Sequence, residues 1–269
     1  MAESLWKEKV VIVTGASTGI GAALAYQLAA GGAWLALAAR NREQLAVVAE
    51  ACRGRGGRAL VVPTDVSEEA ACRALVERTV AEYGGVDCLI NNAGISMWTF
   101  FEELQDLSPL ADIMEVNYLG SVYPTYYALP HLKEARGRLV AISSLAGKSG
   151  VPTRSGYAAS KHAQVGFFDT LRIELAGTGV SVTIAYPDFV QSEIRKRAFG
   201  ADGRPLGESP VQEDKVMMAD EAAEIILKAV AARRREVYLT TRGRLGRWFK
   251  LIAPGLVDRI ARRAIERGR

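Results

Sequence analysis

The chain has 269 residues, 24% of them charged and 49% hydrophobic, the composition of an ordinary globular protein with one substantial core. Its formal charge is +4, but the stretch from Arg242 onward carries +7, so the body is mildly acidic at −3, which argues against a nucleic-acid footprint. The cysteines Cys52, Cys72 and Cys88 are scattered and odd in number, and His131 and His162 are isolated, so neither a disulfide framework nor a metal site is expected.

The opening MAESLWKEK runs straight into the first strand with no apolar leader, and no apolar run reaches membrane-spanning length. A cytoplasmic chain is the expectation. Near-continuous apolar runs of strand length fall at 9–14, 34–39, 59–63, 86–91, 137–143, 181–186 and 236–240. Helical patterns fall between them at 19–30, 42–55, 68–83, 109–135, 153–177 and 219–232. Strands apolar on both faces and alternating with helices predict an α/β fold: one Rossmann-type, doubly wound domain over 1–241, with a seven-stranded, mostly parallel sheet. Ligands in such folds bind beyond the carboxyl ends of the strands. Residues 188–218 break the rhythm with Gly200, Gly203, Pro205, Gly207 and Pro210, and a loop of this length is usually functional.

After the first apolar run comes Thr14-Gly15-Ala16-Ser17-Thr18-Gly19-Ile20-Gly21, opening an Ala/Leu-rich helix. Strand, glycine-rich turn and helix together suit a dinucleotide: Gly15 for the turn, Gly19 for backbone approach to a pyrophosphate, Gly21 for close helix packing. The helix N-terminus supplies free N–H groups and a positive dipole end. Far downstream lies Tyr157-Ala-Ala-Ser-Lys161, with Ser144 thirteen residues before the tyrosine. Tyrosine and lysine four apart share a helix face. A fixed ammonium there would lower a phenol pKa from about 10 and make a general acid/base.

These motifs, with Asp65-Val66 after the third strand, Asn91-Asn92-Ala93-Gly94 after the fourth, Asn117, and Pro187 after the sixth, resemble the conventional short-chain dehydrogenase/reductase family over roughly 7–240. The resemblance implies an oxidoreductase in which Tyr157 exchanges a proton with a carbonyl or alcohol oxygen. Ser144 would hold that oxygen, Lys161 would bond the nicotinamide ribose, and Asn117 would hold a water linking the lysine to solvent. Ser144 is preferred to Ser143 by its family spacing. The implied cofactor contacts are Gly15, Ser17, Thr18, Gly19, Ile20, Gly21, Arg40, Asp65, Val66, Asn91, Ala93, Gly94, Tyr157, Lys161, Pro187, Val190 and Ser192, and 188–218 would be the substrate lid. NAD-specific relatives carry an acid at the position of Ala39. Arg40 beside it suits a 2′-phosphate, so NADP is favoured over NAD, although Thr18 stands where many NADP-dependent relatives carry a basic residue. Asp65 would accept from the adenine amino group, or else cap the following helix beside Ser67. Asp188 replaces the family's glycine and would contact substrate or reshape the lid. With Asp188, the substrate candidates are Ser96, Trp98, Leu145 and Phe189, in a wall that also draws on Ile95, Met97, Phe100, Phe101, Val151 and Tyr186 and suits a hydrophobic carbonyl compound or alcohol. The resemblance also implies a homodimer or homotetramer built on the helices 109–135 and 153–177.

After Pro254, Leu256, Val257, Ile260, Ala261, Ala264 and Ile265 take one half of a helical wheel, and Arg259, Arg262, Arg263 and Glu266 take the other; Trp248, Phe249, Leu251 and Ile252 lie just upstream. This basic amphipathic tail, 242–269, reads either as a peripheral membrane contact or as a helix packed on a partner subunit.

Overall fold

The structure, a computed structural model, describes residues 5–212 and 216–266. Of the stretches read from the sequence, 1–4, 213–215 of the long loop and 267–269 of the tail lie outside the described residues. So do the side chains of Arg247, Ala264, Ile265 and Glu266.

Seven parallel strands form one sheet: β1 Val10–Thr14, β2 Trp34–Ala39, β3 Arg58–Pro63, β4 Cys88–Asn91, β5 Arg138–Ile142, β6 Ser181–Tyr186 and β7 Glu236–Tyr238. Their order is β3-β2-β1-β4-β5-β6-β7. The near-continuous apolar runs of the strands follow from this, because strand parity sends neighbouring residues to opposite faces and both faces are covered. Val11, Val13, Leu35, Leu37 and Ile90 pack on one face against α1 (Gly19–Ala30), α2 (Arg42–Arg53) and α7 (Ala219–Ala231). Ile12, Ala36, Leu89, Leu139 and Ile184 pack on the other against α3 (Glu69–Tyr83), α5 (Gly120–Glu134) and α6 (Ser155–Glu174). The strand order reverses between β1 and β4, so the crevice outside their carboxyl ends lies at the switch point.

One expectation is corrected. The helix expected over 109–135 is broken into α4 (Ser108–Met114), a π-helical turn (Glu115–Leu119) and α5. The extra residue of the π-turn rotates the helix register where Asn117 must face inward, a break the apolar periodicity does not encode. The tail holds two helices, α8 (Thr241–Ile252) and α9 (Pro254–Glu266), joined at Ala253–Pro254. Thr240 starts α8 by accepting from the Gly243 N–H at 3.1 Å.

The loop after β6 is a folded arm. Phe199 N–H donates to Ser96 O at 2.9 Å and Trp98 N–H donates to Phe199 O at 2.8 Å, while Gln191 and Met217 pair through Gln191 N–H and Met217 O at 2.9 Å.

Candidate active site

One cleft of about 1620 Å³ runs across the carboxyl ends of the strands. At its first end β1 passes through the glycine turn into α1. Gly19 has φ +55°, the left-handed region that favours glycine. A Cβ on Gly21 would lie 2.2 Å from Gly15 O, so α1 seats directly on the turn. Thr18 is the N-cap residue but makes no side-chain capping hydrogen bond, which leaves first-turn N–H groups for a ligand. The neighbouring loop is tied to this turn. Thr14 Oγ1 accepts from Asn92 N–H and Ala93 N–H at 3.0 and 3.1 Å, and Asn92 Nδ2 donates to Thr14 O and Gly15 O at 3.0 and 3.1 Å. The glycine cradle and the open helix end fit a dinucleotide pyrophosphate.

Farther along the same cleft lie Ser144, Tyr157 and Lys161. Ser144 starts a 3-10 turn by accepting from Ala146 N–H at 3.2 Å, and its hydroxyl is near enough to Tyr157 to counter the rise of the phenol pKa. Ser143 turns away, its hydroxyl donating to Lys161 O at 3.4 Å. Lys161 is 3% exposed and donates from Nζ to Ile142 O at 3.0 Å and to Gln164 Oε1 at 3.4 Å. Burial pulls its pKa down to about 7. The expectation that a fixed ammonium makes Tyr157 acidic is corrected here. Burial outweighs everything else and raises the Tyr157 pKa, with Arg154, the Ser144 hydroxyl and Arg195 opposing. Two groups buried side by side both lose water, and each is pushed toward its neutral form.

Asn117 lies behind the cleft, fully buried. Its Oδ1 accepts from Ile95 N–H at 2.8 Å and its Nδ2 donates to Ile95 O and Ser160 Oγ at 3.0 and 2.9 Å. Its carbonyl accepts from Ser121 Oγ at 2.9 Å. With these bonds Asn117 braces the Ile95 backbone against Ser160. At the far end Arg40 and Asp65 line the cleft, 4.0 Å apart, and Asp65 Oδ1 accepts from the Ser67 N–H and hydroxyl at 3.1 and 2.7 Å.

The model of the family described as short chain dehydrogenase matches residues 9–202. The 11-beta-hydroxysteroid dehydrogenase A of Arachis hypogaea is 40% identical over 257 residues, 93% of this chain and 73% of that protein. The chain belongs to the short-chain dehydrogenase family. The 11-beta-hydroxysteroid dehydrogenase-like 4A of Arabidopsis thaliana is 46% identical over 185 residues, which cover 68% of this chain and 62% of that relative's own length. Among solved structures, a short chain dehydrogenase/reductase from Burkholderia phymatum in complex with NAD superposes with a TM-score of 0.82 at 26% identity, covering 93% of this chain and 95% of its own. An alcohol dehydrogenase from Thermococcus sibiricus complexed with 5-hydroxy-NADP gives 0.74 at 28%, covering 86% and 95%.

Among the residues expected at the dinucleotide, this short-chain dehydrogenase brings Gly15, Ser17, Thr18, Gly19, Ile20, Val66, Ala93, Gly94, Pro187, Val190 and Ser192 to the cleft. Gly21 is packed beneath the turn. Asn91 shares the sheet face of Leu89 and points away, its Nδ2 donating to Thr125 Oγ1 at 3.0 Å. Of the residues expected at the substrate, Ile95, Ser96, Trp98, Phe100, Leu145, Val151, Asp188 and Phe189 line the cleft, while Met97 and Tyr186 are core residues and Phe101 faces solvent. Sequence reading missed Thr14 and Asn92 as the loop tie, although both lie inside quoted motifs. It also missed Arg154 and the tail's place in the cleft wall. Leu245, Phe249, Leu256, Val257 and Ile260 form a wall of the cleft. The tail is held by Gly243 packed on Leu145, by Lys250 Nζ donating to Lys148 O at 2.6 Å, and by Arg242 3.9 Å from Asp188. Asp188 thus has a backbone outside the left-handed region and a carboxylate that meets the tail.

The depressed Lys161 pKa fixes a pH signature. Below about pH 7 the folded state carries the full cost of a buried ammonium. As pH rises toward the ordinary lysine value, the unfolded chain binds the extra proton and stability rises by up to about 1.4 kcal/mol per pH unit. Tyr157, raised by burial, works in the opposite direction only above its ordinary value near 10. Chemical denaturation between pH 7 and 9 should therefore show wild type gaining stability relative to Lys161→Met, and parallel curves would refute the burial of an ionisable Lys161.

Proposed function

We propose that the chain is an NADP(H)-preferring oxidoreductase that interconverts a hydrophobic ketone or aldehyde and its alcohol. The observation that carries this is the convergence in one cleft of the open α1 N-terminus and the Ser144–Tyr157–Lys161 set. A nicotinamide dinucleotide, when bound, supplies or accepts the hydride. Gly15, Thr18, Gly19 and Ile20 would hold its pyrophosphate, and Val190 and Ser192 would face its nicotinamide end. Tyr157, kept protonated by burial, gives its proton to the substrate oxygen as the carbonyl becomes an alcohol. Ser144 donates to the same oxygen and stabilises its developing charge. Lys161, anchored by Ile142 O and Gln164, supplies positive charge beneath the tyrosine when protonated and titrates in the working pH range. Asn117, by fixing the Ile95 backbone and Ser160, holds the floor on which Tyr157 and Lys161 stand. The NADP preference is supported by Ala39 at the end of β2 and by the Arg40 side chain, 70% exposed at the cleft edge and only weakly engaged by Asp65. Exposed Tyr126 on α5 and Ile173 on α6 support self-association through those helices.

Tyr157→Phe is expected to lower kcat/KM by about 10²–10⁴-fold with dinucleotide binding intact; unchanged turnover would remove Tyr157 from the proton step. Nicotinamide fluorescence titration should show Arg40→Ala weakening NADPH about tenfold with little effect on NADH, the loss of a charge-assisted pair. Equal NADPH and NADH binding, indifferent to Arg40, favours the NAD-dependent alternative. Binding of neither favours a protein that only scaffolds.

The tail supports a second reading, that the chain works at a membrane surface. No helix among the described residues is long and apolar enough to cross a membrane. Yet Leu251 is 76% and Ile252 81% exposed beside Trp248 and Phe249, on helices that also carry Arg244, Lys250, Arg259 and Arg262. Such an edge fits an interfacial helix. The full chain should sediment with anionic phosphatidylglycerol vesicles at low salt, and Leu251→Asp with Ile252→Asp should abolish this. A wild-type chain that stays in solution defeats the reading.

A further inference from the structure

Arg154 is the feature of the cleft that the proposed chemistry leaves unexplained. It stands three residues before Tyr157 where α6 begins, is 9% exposed, and lines the substrate side of the cleft. Its guanidinium carbon lies 4.3 Å from the Trp98 ring centre, 5.5 Å from that of Phe189 and 5.6 Å from that of Tyr157. Its Nε is buried with no hydrogen-bond partner. The nearby acid, Asp188, is in ion-pair range of Arg242 instead. Arg195, a second cation near Phe189, is held by Ser209 Oγ at 3.3 Å and Val190 O at 2.9 Å. The preceding residue, Thr153, has φ +67°, a strained conformation for a β-branched side chain, and is pinned by Thr99 N–H donating to its carbonyl at 3.0 Å.

A buried guanidinium is expensive unless it is paired, and ring faces satisfy only part of its demand. Five fixed N–H donors in a planar fork match a planar carboxylate bidentately. Trp98 and Phe189 flank the guanidinium on the cleft side, and the carboxylate of Asp188 lining the same cleft disfavours a doubly charged ligand.

Resting on the oxidoreductase reading, we infer that Arg154 receives a carboxylate of the substrate, so the substrate class is apolar oxo acids and their hydroxy acids rather than uncharged carbonyl compounds. In such a ligand the carboxylate docks on Arg154, the reacting carbon lies against Ser144 and Tyr157 on the same side of the cleft, and the apolar remainder runs along Leu145 and the tail wall.

Calorimetric titration of the full chain with octanoate and with octanamide, an uncharged probe of equal length, reads the site without turnover. It is run with and without NADP. Octanoate should bind at least about thirtyfold more tightly than octanamide, as expected where a buried charge gains its partner. Arg154→Met should bring the two within about threefold, and Arg154→Lys should retain part of the preference. Equal binding of the two probes to wild type, absence of octanoate binding, or a preference that survives in Arg154→Met overturns the inference. Thermal melts establish that the variants fold; if Arg154→Met does not, wild type against Arg154→Lys decides, an undiminished preference overturning the assignment. A chain that binds neither NADPH nor NADH but prefers octanoate would bring down the oxidoreductase reading and leave the anion site standing. Dinucleotide binding without an acid preference would do the reverse.

Discussion

The four hydrogen bonds between Thr14 and Asn92 and their neighbours hold together the part of the molecule on which the rest depends. The strand order reverses between β1 and β4, so the chain leaves these adjacent strands in opposite directions and opens a crevice. Nothing in the sheet ladder controls how far the two loops part. Thr14 Oγ1 receives two N–H groups of the β4 loop, and the Asn92 amide returns two bonds to the β1 turn. The glycine turn is thereby set at a fixed distance from the loop that carries Ala93 and Gly94. With Gly21 pressed under the turn, α1 has no freedom to withdraw.

A second polar network stands behind the catalytic side. Asn117, Ser160, Gln164 and Ser121 are all buried and hydrogen-bonded to one another or to backbone, joining the π-turn, α5 and α6. Lys161 reaches into this network through Gln164 and leaves it through Ile142 O. Buried networks of this kind specify one arrangement because each unmade bond is costly. The price is electrostatic: burial that fixes Tyr157 and Lys161 also drives both toward neutrality.

Most of the architecture was legible because parallel strands buried on both faces advertise themselves as unbroken apolar runs. The cleft residues were legible where they sit in contiguous motifs, as with 14–21 and 157–161. What escaped depends on parity and on distant packing. Asn91 and Asn92 are neighbours of the same type, yet the pleat sends one to Thr125 and the other to the β1 turn. Met97 and Tyr186 look like pocket aromatics or thioethers in sequence and are core in space. The π-turn inserts its shift inside a segment whose composition is uniformly helical. Arg154 carried no signal in one dimension, because its meaning comes from the Trp98 and Phe189 rings beside it and from an acid, Asp188, that is in ion-pair range of Arg242 instead.

The docking of the tail separates two kinds of variation. The family match ends at residue 202, whereas part of the cleft wall is built from α8 and α9, beyond it. The contacts that hold those helices include a glycine on Leu145, a lysine on a carbonyl and a loose ion pair. A tail of different length or hydrophobicity can therefore recast the shape of the chamber while leaving Tyr157 and the glycine turn untouched. Changes confined to these two helices would alter which molecules fit the chamber without disturbing the far wall, so shape and chemistry are set by separate parts of the chain.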